Sequence, residues 1–506
     1  MPLPAFNAKI VAAQTSAEDG RVSYFRFREG QLSKLYDAIY VVKDALLEAL
    51  QRDQGRTAAE AQLELALTLR FVKARFLDCD FAKMTKQTKD LRKQGVIHHG
   101  KGLVAIVADE TAPLYSFVAP LAAAIAAGNA AVVLASHVLA ADRCKSLTQI
   151  LLERLPSLDR LAYVFLSPPE STRATLHELL PLGPNVLVTR YADEEIRSLA
   201  AKHNVELVAT PASPESATAS VIVDRNQTDL RRIAKLVVRG KYLGVGKLAG
   251  SIDHVLVQKD RASELLELIV EETKAAFGSD VSLSADFGRL SDSQEVERLK
   301  TLVRNEVKSG EGKVVLGGSS TAANSFEPTI VEGASTSLLR TAKKGPVLPV
   351  VTFLSLEGAL ATLNSANAKV AYLFAAPDNF DYLASEGVAT VVYENDVPAE
   401  ALIAPFPDQL SPRHYTSNIF VQPSKPSPLE TFFAPFTSSK LGALASVAPR
   451  DNKLVVRRAP HSNILLRTFF PQGLFLVVGT IGLCLLGSSA FAAFKTFVFV
   501  KRRLAA

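Results

Sequence analysis

Cysteine is scarce in this chain, with three among 506 residues. Cys79, Cys144 and Cys484 are too few and too scattered for a disulfide framework or a zinc site. A reducing compartment and no metal are therefore expected. The N-terminal stretch MPLPAFNAKIVAAQTSAEDG lacks a basic segment followed by an apolar run, so no secretory signal is expected. Net positive charge is missing from most of the chain as well. The total is +6, with a pI near 9.0. From Arg450 onward there are nine Lys/Arg against a single acid, Asp451, which leaves 48 basic and 50 acidic residues before it. A slightly acidic body argues against nucleic acid as a main partner. Charge itself is absent over residues 468–494.

What fills that uncharged interval is GLFLVVGTIGLCLLGSSAFAAF, residues 473–494. As a helix such a run covers roughly 30 Å, the hydrocarbon thickness of a bilayer. It has no polar face. Arg457, Arg458 and Arg467 precede it, and Lys495, Lys501, Arg502 and Arg503 follow. Gly473, Gly479, Gly482 and Gly487 suit a membrane helix better than a soluble one. A transmembrane tail anchor over 468–500 is expected, with the N-terminal body facing the cytosol. Positive charge is similar on both flanks, so the positive-inside rule leaves orientation open.

The remainder reads as ordinary globular protein, 48% hydrophobic and 21% charged, and its length calls for two or three domains. Residues 1–95 carry apolar positions at three- and four-residue spacing and read as helical, up to a polar stretch, AKMTKQTKDLRKQG. From Gly102 the pattern alternates. GLVAIVA, AAVVLA, LAYVFLS and NVLVT read as strands, separated by amphipathic helices such as PLYSFVAPLAAAIAAGN. Wholly apolar strands between helices imply a parallel sheet covered on both faces, hence a doubly wound, Rossmann-like domain over 96–225. A second α/β domain is expected over 226–400, then a Pro- and Ser-rich oligomerisation or linker segment over 401–449. No internal repeat is present.

Several segments in register over about residues 20–440 resemble the aldehyde dehydrogenase superfamily, within it the membrane-anchored fatty-aldehyde branch. PLAAAIAAGNAAVVLAS is similar to the family's PL..AIAAGN.VV.KPSE, and SFEPTIVEG with GPVLPVVTF to its EPT and GPVLPV segments. YLFAAPDNFDYLA and the N-terminal helices follow the same branch. The resemblance implies an α/β fold with an NAD(P)-binding domain, a catalytic-type domain and an oligomerisation element, working as a dimer or tetramer.

The residues that carry the family's chemistry depart from its pattern. Aldehyde oxidation needs a thiolate that attacks the carbonyl and presents a hydride to the nicotinamide. The family's GQ.C reads GKLA here, which puts Gly246 at the glycine, Lys247 at the glutamine and Ala249 at the nucleophile. Ser251 stands two residues on, with no identifiable base. The general-base segment LELGGK becomes VELVATPASPESATAS, offering Glu206 or Glu215 but no Gly-Gly. The oxyanion asparagine of PWNYP falls on Thr111 of DETAP, beside the negative charges of Asp109 and Glu110. Leu134 and His137 replace the lysine and glutamate of KPSE. Arg190 and Tyr191 replace the Gly-Ser pair of FTGS. Ala342 and Lys344 replace the glutamate and phenylalanine of EIFGPV, and no glycine occurs between Gly387 and Gly442. Arg190 is the one candidate cofactor contact, either gripping a phosphate or filling the groove with its side chain.

The resemblance with these departures implies a membrane-anchored protein of this fold without dehydrogenase activity, with no intact catalytic residue and no cofactor expected. It would act as a binding or scaffolding partner, alone or with subunits of the same fold. An alternative is an NAD(P)-dependent fatty-aldehyde dehydrogenase, or a divergent oxidoreductase, using a displaced residue. Mitochondrial outer membrane, endoplasmic reticulum and peroxisome are all compatible with the anchor.

Overall fold

The computed structural model describes residues 3–134, 145–166, 173–190, 192–209, 218–278, 284–290, 293–320, 324–340 and 345–420. The apolar run at 473–494, and with it the expected anchor and linker, lies outside these residues. Among the described residues no helix is long and apolar enough to cross a membrane.

Five helices open the chain: α1 (Leu3–Glu18), α2 (Phe25–Val41), α3 (Lys43–Gln54), α4 (Ala58–Asp78) and α5 (Phe81–Lys93). The first four bury one face each, with Ile10, Leu32, Leu35, Leu46 and Val72 inaccessible to solvent. Helix α4 begins with a reciprocal capping box. The Thr57 hydroxyl accepts from the Glu60 amide while the Glu60 carboxylate accepts from the Thr57 amide. Helix α5 lies within the helical region 1–95 and takes up its polar stretch. Asp80 caps its first turn through the Lys83 amide, and none of its residues is buried.

Two parallel sheets follow. The first comprises β2 (Leu103–Val107), β3 (Ala130–Leu134), β4 (Tyr163–Phe165), β5 (Val186–Thr189) and β6 (Glu206–Val208), in spatial order β4-β3-β2-β5-β6 and parallel throughout. Numbered within the sheet this is the doubly wound order 3-2-1-4-5, whose switch point lies between β2 and β5. Every residue of β2 and β3 is buried, as strands covered on both faces must be. Between them runs α6 (Pro113–Ala127), with proline at its first position and Gly128 closing it in the left-handed region at φ 80.

The second sheet contains β7 (Thr218–Val223), β8 (His254–Gln258), β9 (Lys313–Leu316), β10 (Thr329–Glu332), β11 (Val347–Phe353), β12 (Ala368–Phe374) and β13 (Val391–Glu394). Its order is β13-β12-β7-β8-β11-β10-β9, with only β9 antiparallel. Finally β1 (Val96–Gly100) and β14 (Thr416–Phe420) form a separate antiparallel ladder between segments on the order of 300 residues apart in sequence. On β14, Ile419 and Phe420 remain largely exposed.

Candidate functional site

Ala249 sits on the connection from the helix Leu230–Tyr242 to β8. That connection is tightly wound. Gly244, Val245 and Gly246 all have positive φ, at 60, 54 and 73. For the β-branched Val245 this is a strained conformation, held because its side chain is buried. The Gly244 amide donates to the Glu60 carboxylate at 2.6 Å, which ties the turn to α4. A side chain at Gly246 would lie 2.5 Å from the Gly345 carbonyl. The loop therefore keeps a demanding backbone path while presenting a methyl group where the resemblance places a thiol.

Ala249 faces a cavity of about 70 Å³, walled also by Asp109, Ala112, Tyr115, Arg190 and Phe406. This cavity is open on one side rather than enclosed. Burial pushes the Tyr115 phenol up to about 12, so it stays protonated at neutral pH.

The wall is built from paired charges. The Arg190 guanidinium, directly after β5, ion-pairs with Asp109 and also donates to the Thr111 hydroxyl, and that hydroxyl donates to Asp109. Val107 and Thr189 are partners in register at the ends of β2 and β5. The pair thus spans the switch point, where open α/β sheets receive ligands. Across Thr111 the network continues. Arg56 donates to the Thr111 carbonyl and pairs with Glu64 at 2.5 Å. Fully buried Glu64 accepts from the Leu114 and Tyr115 amides at 2.9 and 3.1 Å, capping the positive end of α6. Two acids and two arginines therefore close on one another around Thr111.

These contacts revise two sequence readings. Asp109 does not make the Thr111 region simply negative, because Arg190 neutralises it. Arg190 is engaged with Asp109 and Thr111 at the switch point, so its guanidinium serves the wall of this cavity. Arg56 and Glu64 have no motif to announce them. Nothing sets them apart in sequence from the other charged residues of 56–78, such as Glu60, Arg70 and Arg75.

The other candidates fall as follows. Lys247 pairs with Glu295 at 2.6 Å. The Ser251 hydroxyl is buried with no hydrogen-bond partner among the described residues, so no base activates it. Glu206 lies on the edge strand β6 and does not line the cavity at Ala249. Burial raises its carboxyl, but Lys101 and His414 outweigh this and hold it below the usual range. Glu215, His137, Tyr191, Ala342 and Lys344 lie outside the described residues. Among the described residues no cluster of His, Cys, Asp or Glu is placed to hold a metal ion.

Where a dinucleotide would be held, the described residues do not fit it. Leu134 at the end of β3 is apolar and inaccessible to solvent, so it has no donor for a ribose. Arg190, with Asp109 opposite, crosses the crevice where a glycine turn would let the backbone approach a pyrophosphate.

Comparison with known proteins agrees with the fold. The profile described as the aldehyde dehydrogenase family matches residues 5–152 and 195–407. The chain is 24% identical over 363 residues to the 4,4'-diaponeurosporen-aldehyde dehydrogenase of Staphylococcus aureus, covering 70% of this chain and 76% of that protein. It is 26% identical over 366 residues to human aldehyde dehydrogenase family 3 member B1, covering 68% and 72%. Family 3 member A2 of Rattus norvegicus is 25% identical over 371 residues, covering 70% and 72%. Among solved structures, the substrate-bound state of Staphylococcus aureus AldH superposes with a TM-score of 0.71 at 19% identity, over 87% of this chain and 98% of that one. The glyceraldehyde-3-phosphate dehydrogenase GapN of Methanocaldococcus jannaschii, complexed with NADP, gives 0.66 at 18% identity, over 83% and 94%. With the matched segments taking in α6, the whole second sheet and the Ala249 loop, the chain belongs to the aldehyde dehydrogenase family.

Proposed function

We propose that this chain uses the aldehyde dehydrogenase fold without the family's thiol-based oxidation, as a binding or scaffolding subunit tethered to a membrane. The observation that carries this is Ala249, whose methyl group faces a cavity lined by the paired Arg190 and Asp109. A methyl group forms no thiohemiacetal, and the Arg190–Asp109 bridge spans the switch point that a dinucleotide would have to approach. The exposed apolar end of β14, with Ile419 and Phe420, supports association with a second subunit of this fold. The apolar run at 473–494 between basic flanks supports a C-terminal anchor, with the body on the cytosolic side of the mitochondrial outer membrane, endoplasmic reticulum or peroxisome.

The test is a turnover assay of the purified full chain with NAD or NADP and long-chain aldehydes. No NADH or NADPH formation is expected from the chain as it stands, and none from Ala249→Cys, which restores the thiol but leaves the Arg190–Asp109 bridge in place. Turnover by the unmodified chain that survives both Cys79→Ala and Cys144→Ala would overturn the reading. For the anchor, a fluorescent fusion of residues 450–506 is expected at a membrane, and a diffuse cytosolic signal would refute it.

A further inference from the structure

A second and larger cavity, about 440 Å³, opens at the other end of α6, between α5, the last turn of α6 and the segment leading into β14. This volume falls within the ~300–1,000 Å³ range of small-molecule sites. Its charged lining is unbalanced. Arg28, Arg75, Lys83 and the titratable His98 face it against one carboxylate, Asp78, which Arg75 already pairs at 2.9 Å. Lys83 donates to the Leu77 carbonyl at 3.3 Å, and His98 shares a 2.9 Å hydrogen bond with Asn418. The floor is apolar, formed by Met84, Leu91, Ala123 and Ala126.

Arg28 is the focus of the imbalance. Its Nη1 donates to the Ala126 carbonyl at 2.9 Å, its Nη2 makes a 3.8 Å contact with Met84 Sδ, and its buried Nε has no partner. No carboxylate among the described residues pairs with it. The ionisable groups coupled to it are Cys79 and Tyr163, and burial raises both, so both stay neutral at neutral pH. Burial lowers the Arg28 guanidinium itself, the mark of a cation short of compensation. The simple structural role, a cation at the carbonyl end of α6, supplies only about half a negative charge. No carboxylate among the described residues supplies the remainder.

We infer that this cavity is a binding site for a small amphiphilic anion, a carboxylate head with a short aliphatic body, its head beside Arg28 and Lys83 and its body over the Met84–Ala126 floor. The inference is independent of whether the Ala249 site retains any chemistry. Titration calorimetry of the full chain in non-ionic detergent tests it, with hexanoate as the probe and acetate and hexanol as controls. Saturable one-to-one binding of hexanoate is expected, at least tenfold tighter than either control. Arg28→Met and Lys83→Glu should each weaken it at least tenfold, whereas Lys89→Glu, exposed on α5 and outside the lining, should not. Lys83 is itself exposed, so Lys83→Glu reports on binding even if Arg28→Met fails to fold. Absence of saturable binding, hexanol binding as tightly as hexanoate, or binding undiminished by Lys83→Glu would each overturn the inference.

Discussion

The two ends of α6 solve the same electrostatic problem in opposite ways. At its N-terminus the exposed amides meet a buried carboxylate, Glu64, and each of the two arginines nearby has an acid partner. The space left over there is about 70 Å³. At its C-terminus Arg28 meets a carbonyl but no acid, beside a cavity of about 440 Å³. The end beside Ala249 is therefore the one with paired charges and little space, and the two cavities come within about one turn of each other along α6, Pro120 lining the first and Ala123 the second. Leu410 borders both cavities, so the segment Pro407–Leu410 that carries it helps to wall each of them. On the reading proposed above, the difference separates keeping a scaffold from keeping its site. Strand and helix positions need only apolar volume at the right period, whereas the site needed specific atoms and empty space.

The largest effect is expected from Glu64→Ala. It strips the N-terminal amides of α6 of their acceptor and leaves Arg56 buried without its acid, a loss of about 3–5 kcal/mol. The midpoint of chemical denaturation should fall accordingly, and an unchanged midpoint would contradict the role given to Glu64. Asp109→Ala should cost somewhat less, roughly 2–3 kcal/mol, because both partners of that pair keep about a tenth of their side-chain surface in water. If the substitution were neutral, the bridge across the switch point would not be what closes the site.

How much of this was legible in the sequence depends on the kind of signal. Strands β2, β3, β5 and helix α6 are readable because a buried parallel strand must be apolar throughout and a helix ending in Gly-Asn signs its own terminus. The Ala249 loop is readable because an invariant chemical demand, a thiol, is visibly unmet. Helix α5 reads only as a polar stretch, because its apolar positions are few and none of its residues is buried, and its cap and local propensity decide it instead. The pairing of Asp109 with Arg190 is not readable either. The two are 81 residues apart, and only the β2–β5 crossover brings them together. For the same reason Asp109 read alone gives the wrong sign to the local field.

The smallest effect concerns the shared wall. His414 contacts Glu206 on β6 at 3.2 Å and Asp408 at 3.0 Å, which holds the Leu410 segment against the first sheet. Burial raises the Glu206 and Asp408 carboxyls, yet Lys101, His414 and Arg413 outweigh it, so both are held below their ordinary values when folded. Their contribution to stability is therefore complete above about pH 4.5 and lost as pH falls through the lowered folded values. Both groups are substantially exposed, and the contribution should stay within about 0.5 kcal/mol. Melting curves of the wild-type chain and Glu206→Gln should differ slightly at pH 6 and converge near pH 3. A gap that widens on acidification would mean that this contact is repulsive.

The measurement that bears most directly on the end beside Ala249 is a fluorescence titration of the full chain with NADH and with NADPH. With Arg190 and Asp109 bridging β5 to the loop after β2, no saturable change in nicotinamide emission is expected with either dinucleotide. Saturable binding of either one by the unmodified chain would contradict the account.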